Sequence, residues 1–461
     1  MRYLILLFIL CCNLFFSLAS IAQMTPKTMK PTVYERDPNT TATYAQTIEY
    51  YQYLAKQSDQ FQLLSYGMTD SGRPLHLAVL SKEQDFDPQS IRKKGKNILM
   101  INNAIHPGEP CGVDATMLLL KDLLTKKELQ AFLEHTTVIV IPIYNIGGTL
   151  NRNSTTRANQ NGPKAYGFRG NAKNLDLNRD FIKCDSRNAQ TFNQIFNEWK
   201  PDVLVDNHTS NGADYQYTMT LIATQHNKLN PHLSTYLDGQ LVPHLYQEME
   251  KRNWEMTPYV YAREKPDDGI AAFLDLPRYS SGYAALHHCL SFMPETHMLK
   301  PFADRVESTR VFMEVMLERM HADHQLLAEA RKKAYESSRA QKVFPINWAM
   351  DAEQKEMLLF KGYEASHKPS AVSGLDRLYY DRDQPFEKEI PYFKHYTASA
   401  SIEKPEAYII PQAYWKVLDR LRWNGVEVHQ LKGDQEITAE FYRILDFKTV
   451  DAPYEGHYLH R

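Results

Sequence analysis

At 461 residues the chain exceeds one ordinary core and has room for a main domain and an accessory one. Lysine plus arginine number 53 against 55 aspartate plus glutamate, a net charge of −2. So balanced a chain has no long-range field to attract nucleic acid or an anionic membrane, and neither partner is expected.

The N-terminus runs Met1-Arg2, then an apolar stretch from Tyr3 to Phe16 interrupted by Asn13, then small residues up to Ala22. That is the layout of a secretory signal peptide cleaved after Ala22, an uncleaved anchor being the alternative reading. The mature protein is expected to be exported to the periplasm, cell envelope or medium, with no later run able to span a bilayer. Cys111, Cys184 and Cys289 would remain, an odd number that allows at most one disulfide and excludes a disulfide-stapled scaffold.

Beyond a polar leader at residues 23–43, Ile48, Tyr51 and Leu54 are spaced for a helix over Tyr44 to Ala55. Phe61 to Leu80 reads as a hairpin around Thr69-Asp70-Ser71-Gly72. Strands follow at Ile98–Ile101, Val138–Ile143, Val203–Val205 and Leu290–Met293. Helices are expected at Ala115–Leu124, around Phe192 to Trp199, and as one long amphipathic helix over Val306–Ala334. Alternating strands and helices predict an α/β fold with a mixed, mostly parallel central sheet flanked by helices. The domain spans 44–338. Residues 339–461 are expected to form a small C-terminal α+β domain, with a polar loop at His367–Ser373, strands at Ala407–Ile410, Val426–Gln430 and Glu440–Ile444, and a helix over Ala413–Trp423.

The chemistry gathers just beyond the strands. His106 and Glu109, in HPGEP, follow one strand, His208 in DNHTSNG follows another, and Glu295 in SFMPETHML follows a third. Ligand sites in open α/β sheets lie outside the carboxyl ends of the strands, so these segments meet at one edge. Two imidazoles and a carboxylate form the donor set that hydrolytic zinc favours, with a fourth position for water. His106, Glu109 and His208 are thus the candidate ligands of one zinc ion. His297 and the pair His287-His288 are read as non-ligands.

Between these segments lies NLDLNRDF, Asn174 to Phe181. With this string in place the order resembles the carboxypeptidase A-like zinc metallopeptidases: H-x-x-E, an Asp-Leu-Asn-Arg string, a histidine, then a late glutamate. The resemblance covers about Tyr44 to Ala334. It implies that Asp176 supports the ring of His106, and that Asn178 and Arg179 grip a peptide's free C-terminal carboxylate. It also implies that Glu295 is the general base. A second arginine should polarise the scissile carbonyl; Arg157 in TTRANQNGP is the best placed, with Arg152 and Arg169 as rivals.

Three departures from the family's digestive members leave substrate preference open. THMLKP follows the base, Asn145-Ile146-Gly147-Gly148 replaces an Asn-Pro-Asp-Gly string, and the substrate-capping tyrosine is not fixed. Tyr279 and Tyr283 are its nearest candidates, Tyr283 being taken for the substrate-binding set, with Tyr259 and Tyr261 behind them. The expected activity is hydrolysis of the last peptide bond of protein-derived or cell-wall peptides. A zinc deacylase of N-acyl amino acids and a non-catalytic peptide-binding relative are the alternatives.

Overall fold

The computed structural model describes residues 29–262 and 264–460, so the segment read as a signal lies outside the described residues. Helix α1 (Tyr44–Gln57) begins at Thr43, which exchanges hydrogen bonds with Gln46 in a capping box. Strands β1 (Phe61–Met68) and β2 (Pro74–Leu80) then form the expected hairpin. Its turn needs Gly72, whose φ of 73° disfavours a side chain. Strand β3 (Asn97–Asn102) leads through helix α2 (Cys111–Thr125) to β4 (Thr136–Ile141). Helix α3 (Arg187–Trp199) leads to β5 (Val203–Asp206) and, past Asn207, to β6 (His208–Ser210). Strands β7 (Met219–Ala223), β8 (Met256–Pro258) and β9 (Ile270–Ala271), helix α4 (Ser280–Leu286) and strand β10 (Leu290–His297) follow.

The main sheet has the order β1-β2-β4-β3-β5-β10-β7-β8, with β6 also paired to β10. Its centre, β4-β3-β5-β10, is parallel, and antiparallel pairs flank it. The apolar runs of the sequence are continuous because both faces are covered. Leu99, Ile101, Val138 and Val140 face a cluster that includes Leu120 of α2; Ile98, Met100, Ile139 and Ile141 face Phe192, Phe196 and Trp199 of α3. Burying each such side chain contributes about 1.5–3 kcal/mol. From β3 the chain crosses to β4 on one side, whereas from β5 it continues toward β10 and β7 on the other. The connections diverge there and open a crevice at the carboxyl ends of β3 and β5.

The long helix read over Val306–Ala334 is two helices, α5 (Phe302–Ala322) and α6 (His324–Ala340), broken at Asp323. The Asp323 carboxylate pairs with Arg319 and accepts a hydrogen bond from Tyr236. Strand β11 (Val343–Met350) pairs with β14 (Tyr396–Glu403). Between them β12 (Glu356–Pro369) and β13 (Asp376–Phe393) form a long ribbon whose far end is the polar loop seen in the sequence. The end of β13 adds to β9, and Phe360 and Ile390 of the ribbon pack with Tyr215, Tyr217 and Ile270. The helix expected near 413–423 is α7 (Trp415–Trp423). The strands expected at Ala407–Ile410, Val426–Gln430 and Glu440–Ile444 do not form. Phe441 and Ile444 are 93% and 84% exposed, and a β-prone run without a partner strand gains nothing by extending. Cys111, Cys184 and Cys289 are free and buried. No helix among the described residues is long and apolar enough to cross a membrane.

Candidate active site and metal centre

His106 and Glu109 occupy a tight turn after β3, closed by a 2.8 Å hydrogen bond from the Glu109 amide to the His106 carbonyl. A Cβ at Gly108 would lie 2.8 Å from Arg157 Cδ, so a side chain there would have to displace Arg157. His208 opens β6, in register with Glu295 of β10, so both side chains stand on one face of the sheet. The crevice therefore receives the three candidate ligands and the candidate base from three parallel strands.

The two imidazoles are arranged alike. His106 Nδ1 lies 3.3 Å from Glu109 Oε1, and His208 Nδ1 lies 3.1 Å from Glu109 Oε2. Each Nε2 meets a carboxylate: Asp176 Oδ1 at 2.9 Å for His106, Asp206 Oδ2 at 3.1 Å for His208. Such a partner fixes the tautomer and orientation of a metal-binding ring and leaves the opposite nitrogen to the ion. His106 Nδ1 is buried with no hydrogen-bond partner. One donor atom from each of the three residues fits within 4.8 Å of the others. Two oriented imidazoles around one carboxylate fit a zinc ion.

Asp206 was not singled out in the sequence, although its signal was present: residues two apart on a strand share a face, as Asp206 and His208 do. Its carboxylate also accepts from Ser280 Oγ and, at 3.2 Å, from Asn102 Nδ2. Burial alone would lower the His208 pKa, but Asp206, Glu109 and Glu295 together raise it well above its ordinary value. Burial of Asp176 would raise its pKa, yet the hydrogen bond from His106 and the nearby Arg169 hold it below the usual carboxylate range. For Glu295, burial is the first cause and repulsion from Glu109 adds to it, pushing the carboxyl up to about 7.

Of the three candidate arginines, Arg157 and Arg169 line the cavity. Arg157 donates to Glu109 Oε1 and, at 2.9 Å, to the Thr209 carbonyl. Arg169 clamps Asp176 Oδ2 at 2.8 and 3.0 Å. Arg152 instead donates to the backbone carbonyls of Thr41, Ala42 and Ala165, which makes it a brace for the leader. Arg179 reaches the cavity with its guanidinium 4.5 Å from the Tyr279 ring centroid. Asn178 also lines it, and its side-chain oxygen accepts from the Ser280 amide at 3.1 Å.

Tyr283 does not belong to the site. It is 1% exposed, packed with Phe181, Phe196 and His287, because the inward face of α4 carries it into the core. Tyr279, one helical turn earlier, takes its place at the cavity, with Tyr259 beside it. Tyr261 is 57% exposed and outside the lining. The cavity measures about 440 Å³; Ile222, Phe273 and Met293 supply its apolar wall.

No curated protein matches the chain by sequence. The chain is similar in structure to a metallo-carboxypeptidase from Pseudomonas aeruginosa, at 16% identity and a TM-score of 0.47, over 62% of this chain and 70% of that one. A metallo-carboxypeptidase from Burkholderia cenocepacia gives 18% and 0.46 over 61% and 70%. Carboxypeptidase A from Helicoverpa armigera gives 16% and 0.43 over 65% and 75%. Residues 47–284 match the zinc carboxypeptidase family, a span that starts in α1 and takes in the loops after β3 and β5 but stops short of Glu295. Since that span is more than half of the chain, the protein belongs to the zinc carboxypeptidase family.

Proposed function

We propose that this zinc carboxypeptidase is an exported enzyme that removes single residues from peptides with a free C-terminus, with His106, Glu109 and His208 holding the metal. One observation carries the reading: the Arg179 guanidinium lines the same cavity as the His-Glu-His set and Glu295. A guanidinium in a hydrolytic cavity can select a terminal carboxylate and so fix which bond lies beside the base.

Zinc, when bound, supplies the Lewis acidity that polarises the scissile carbonyl and acidifies the attacking water. Glu295, in the same cavity as the metal-binding set, accepts the proton of that water as the oxygen bonds to the carbonyl carbon. The same proton passes to the leaving nitrogen as the C–N bond breaks, giving a shortened peptide and a free amino acid. Arg157 faces the developing oxyanion, while Arg179, beside Asn178, holds the terminal carboxylate. Ile222, Tyr259, Phe273 and Met293 favour an uncharged, apolar C-terminal side chain, because no acidic group besides Glu109 and Glu295 lines the cavity. Export is supported by the signal-like layout of residues 1–22.

The test is mass spectrometry of mixed peptides, including D-residue and γ-linked cell-wall peptides, incubated with and without a chelator. Chelator-sensitive loss of single C-terminal residues, blocked by amidating the terminus, is the expected result. Unimpaired cleavage of amidated peptides would overturn the carboxypeptidase reading, and release of acyl groups alone would favour the deacylase.

A further inference from the structure

The last described residues return to the mouth of the site. Tyr454 and His457 exchange backbone hydrogen bonds of 2.8 and 3.1 Å around Glu455 (φ 49°) and Gly456 (φ 79°), a two-residue reverse turn. Asp185 anchors it, 2.6 Å from His457 Nε2 and 2.8 Å from Arg420 of α7. At the tip, Arg179 Nε donates to the Tyr454 hydroxyl at 3.0 Å, and the Asp176 amide donates to Glu455 Oε2 at 2.8 Å.

We propose that Tyr454 and Glu455 are positioning residues that hold the Asp176–Arg179 string and aim Arg179 into the substrate cavity. The inference rests on the reading of Arg179 as the carboxylate clamp. Three contacts fix its guanidinium: Nε on Tyr454, Nη1 on the Asn178 carbonyl at 2.7 Å, and one face over Tyr279. Nη2 makes no hydrogen bond among the described residues and is left for a ligand. Arg179 and Tyr279 line the cavity whereas Tyr454 does not, so the turn grips the arginine from behind and leaves the cavity open. A free arginine side chain must be ordered when it binds a carboxylate, and one already held loses less on binding. Glu455 acts on the same string one turn earlier, at the residue whose carboxylate supports His106.

The experiment uses the full chain and a peptide with a free C-terminus. Tyr454→Phe keeps the ring and removes the acceptor. It should raise KM about tenfold, the worth of one hydrogen bond to a charged group, with kcat within about twofold. The inhibition constant of the released amino acid should rise in parallel, with zinc content and melting temperature unchanged. Glu455→Ala should raise KM severalfold, and Glu455→Gln, which keeps a carbonyl acceptor, should restore most of it. Arg179→Ala is the control and should raise KM more than any of them. An unchanged KM in Tyr454→Phe would overturn the proposal, a lowered one would make the turn a competitor of substrate, and a fall in kcat with loss of zinc would make it merely structural. If Arg179→Ala also left KM unchanged, the carboxylate reading itself would fall.

Discussion

The carboxyl edge of the main sheet and the β12–β13 ribbon are both built from paired strands, yet they are held by different means. At the sheet edge, short strands of four to eight residues are buried on both faces, and their terminal charges are paired inside the wall. The ribbon's strands are 14 and 18 residues long, but along them only Phe360, Gly362 and Ile390 are buried. A long ladder of backbone bonds contributes little net stability, since water satisfies the same groups in the unfolded chain. Side-chain burial fixes the sheet edge to the precision that chemistry requires.

The sharpest break of this contrast is at the sheet edge. His208→Ala should lose zinc and all turnover, whereas Glu295→Gln should keep zinc, measured by atomic absorption, and lose ~10²–10⁴-fold in kcat. Loss of zinc in Glu295→Gln would make the residue a ligand. In the ribbon, Phe360→Ala should cost about 3–5 kcal/mol, read as faster amide exchange across β12 and β13 with zinc content intact. Unchanged exchange would show that the ribbon has another anchor.

Asp114 of α2 provides a comparison in buried charge. It is fully buried, and burial pushes its carboxyl up to about 7 against a weaker opposing bond from the Ala42 amide. The folded chain therefore keeps a proton that the unfolded chain releases near pH 4. The contribution of Asp114 to stability is fully present below that pH, falls by up to roughly 4 kcal/mol as pH rises toward 7, and is level above. Asp114→Asn should flatten this decline in urea midpoints and be the more stable form at pH 8. The smallest effect belongs to the exposed Lys388–Glu364 pair on the ribbon, 2.8 Å apart. Lys388→Ala should change stability by less than about 1 kcal/mol.

The strands that deliver the site were legible because burial on both faces leaves uninterrupted apolar runs, and the residues just beyond Ile101, Val205 and Met293 could be read as converging. Asp206 escaped notice because a carboxylate inside such a run reads as a strand end. Tyr283 lies within α4 and Tyr279 just before its first residue, and only packing shows which of them turns inward. The ribbon was missed because both faces carry polar residues, so no period of two stands out, while the β-prone tail residues around Phe441 suggested strands that have no partner. Contacts such as Tyr454 on Arg179, 275 residues apart, have no local signature at all.

The two histidines differ in how far along the chain their supports lie. His208 takes its carboxylate from two residues upstream on the same run of backbone, and His106 takes its own from 70 residues away. An insertion or deletion elsewhere cannot separate Asp206 from His208. A change in loop length between β3 and the Asp176 string can move the carboxylate that supports His106 while leaving the one that supports His208 in place. One half of the metal site is thus written into a tripeptide, and the other half is the point through which variation in distant loops can tune the centre.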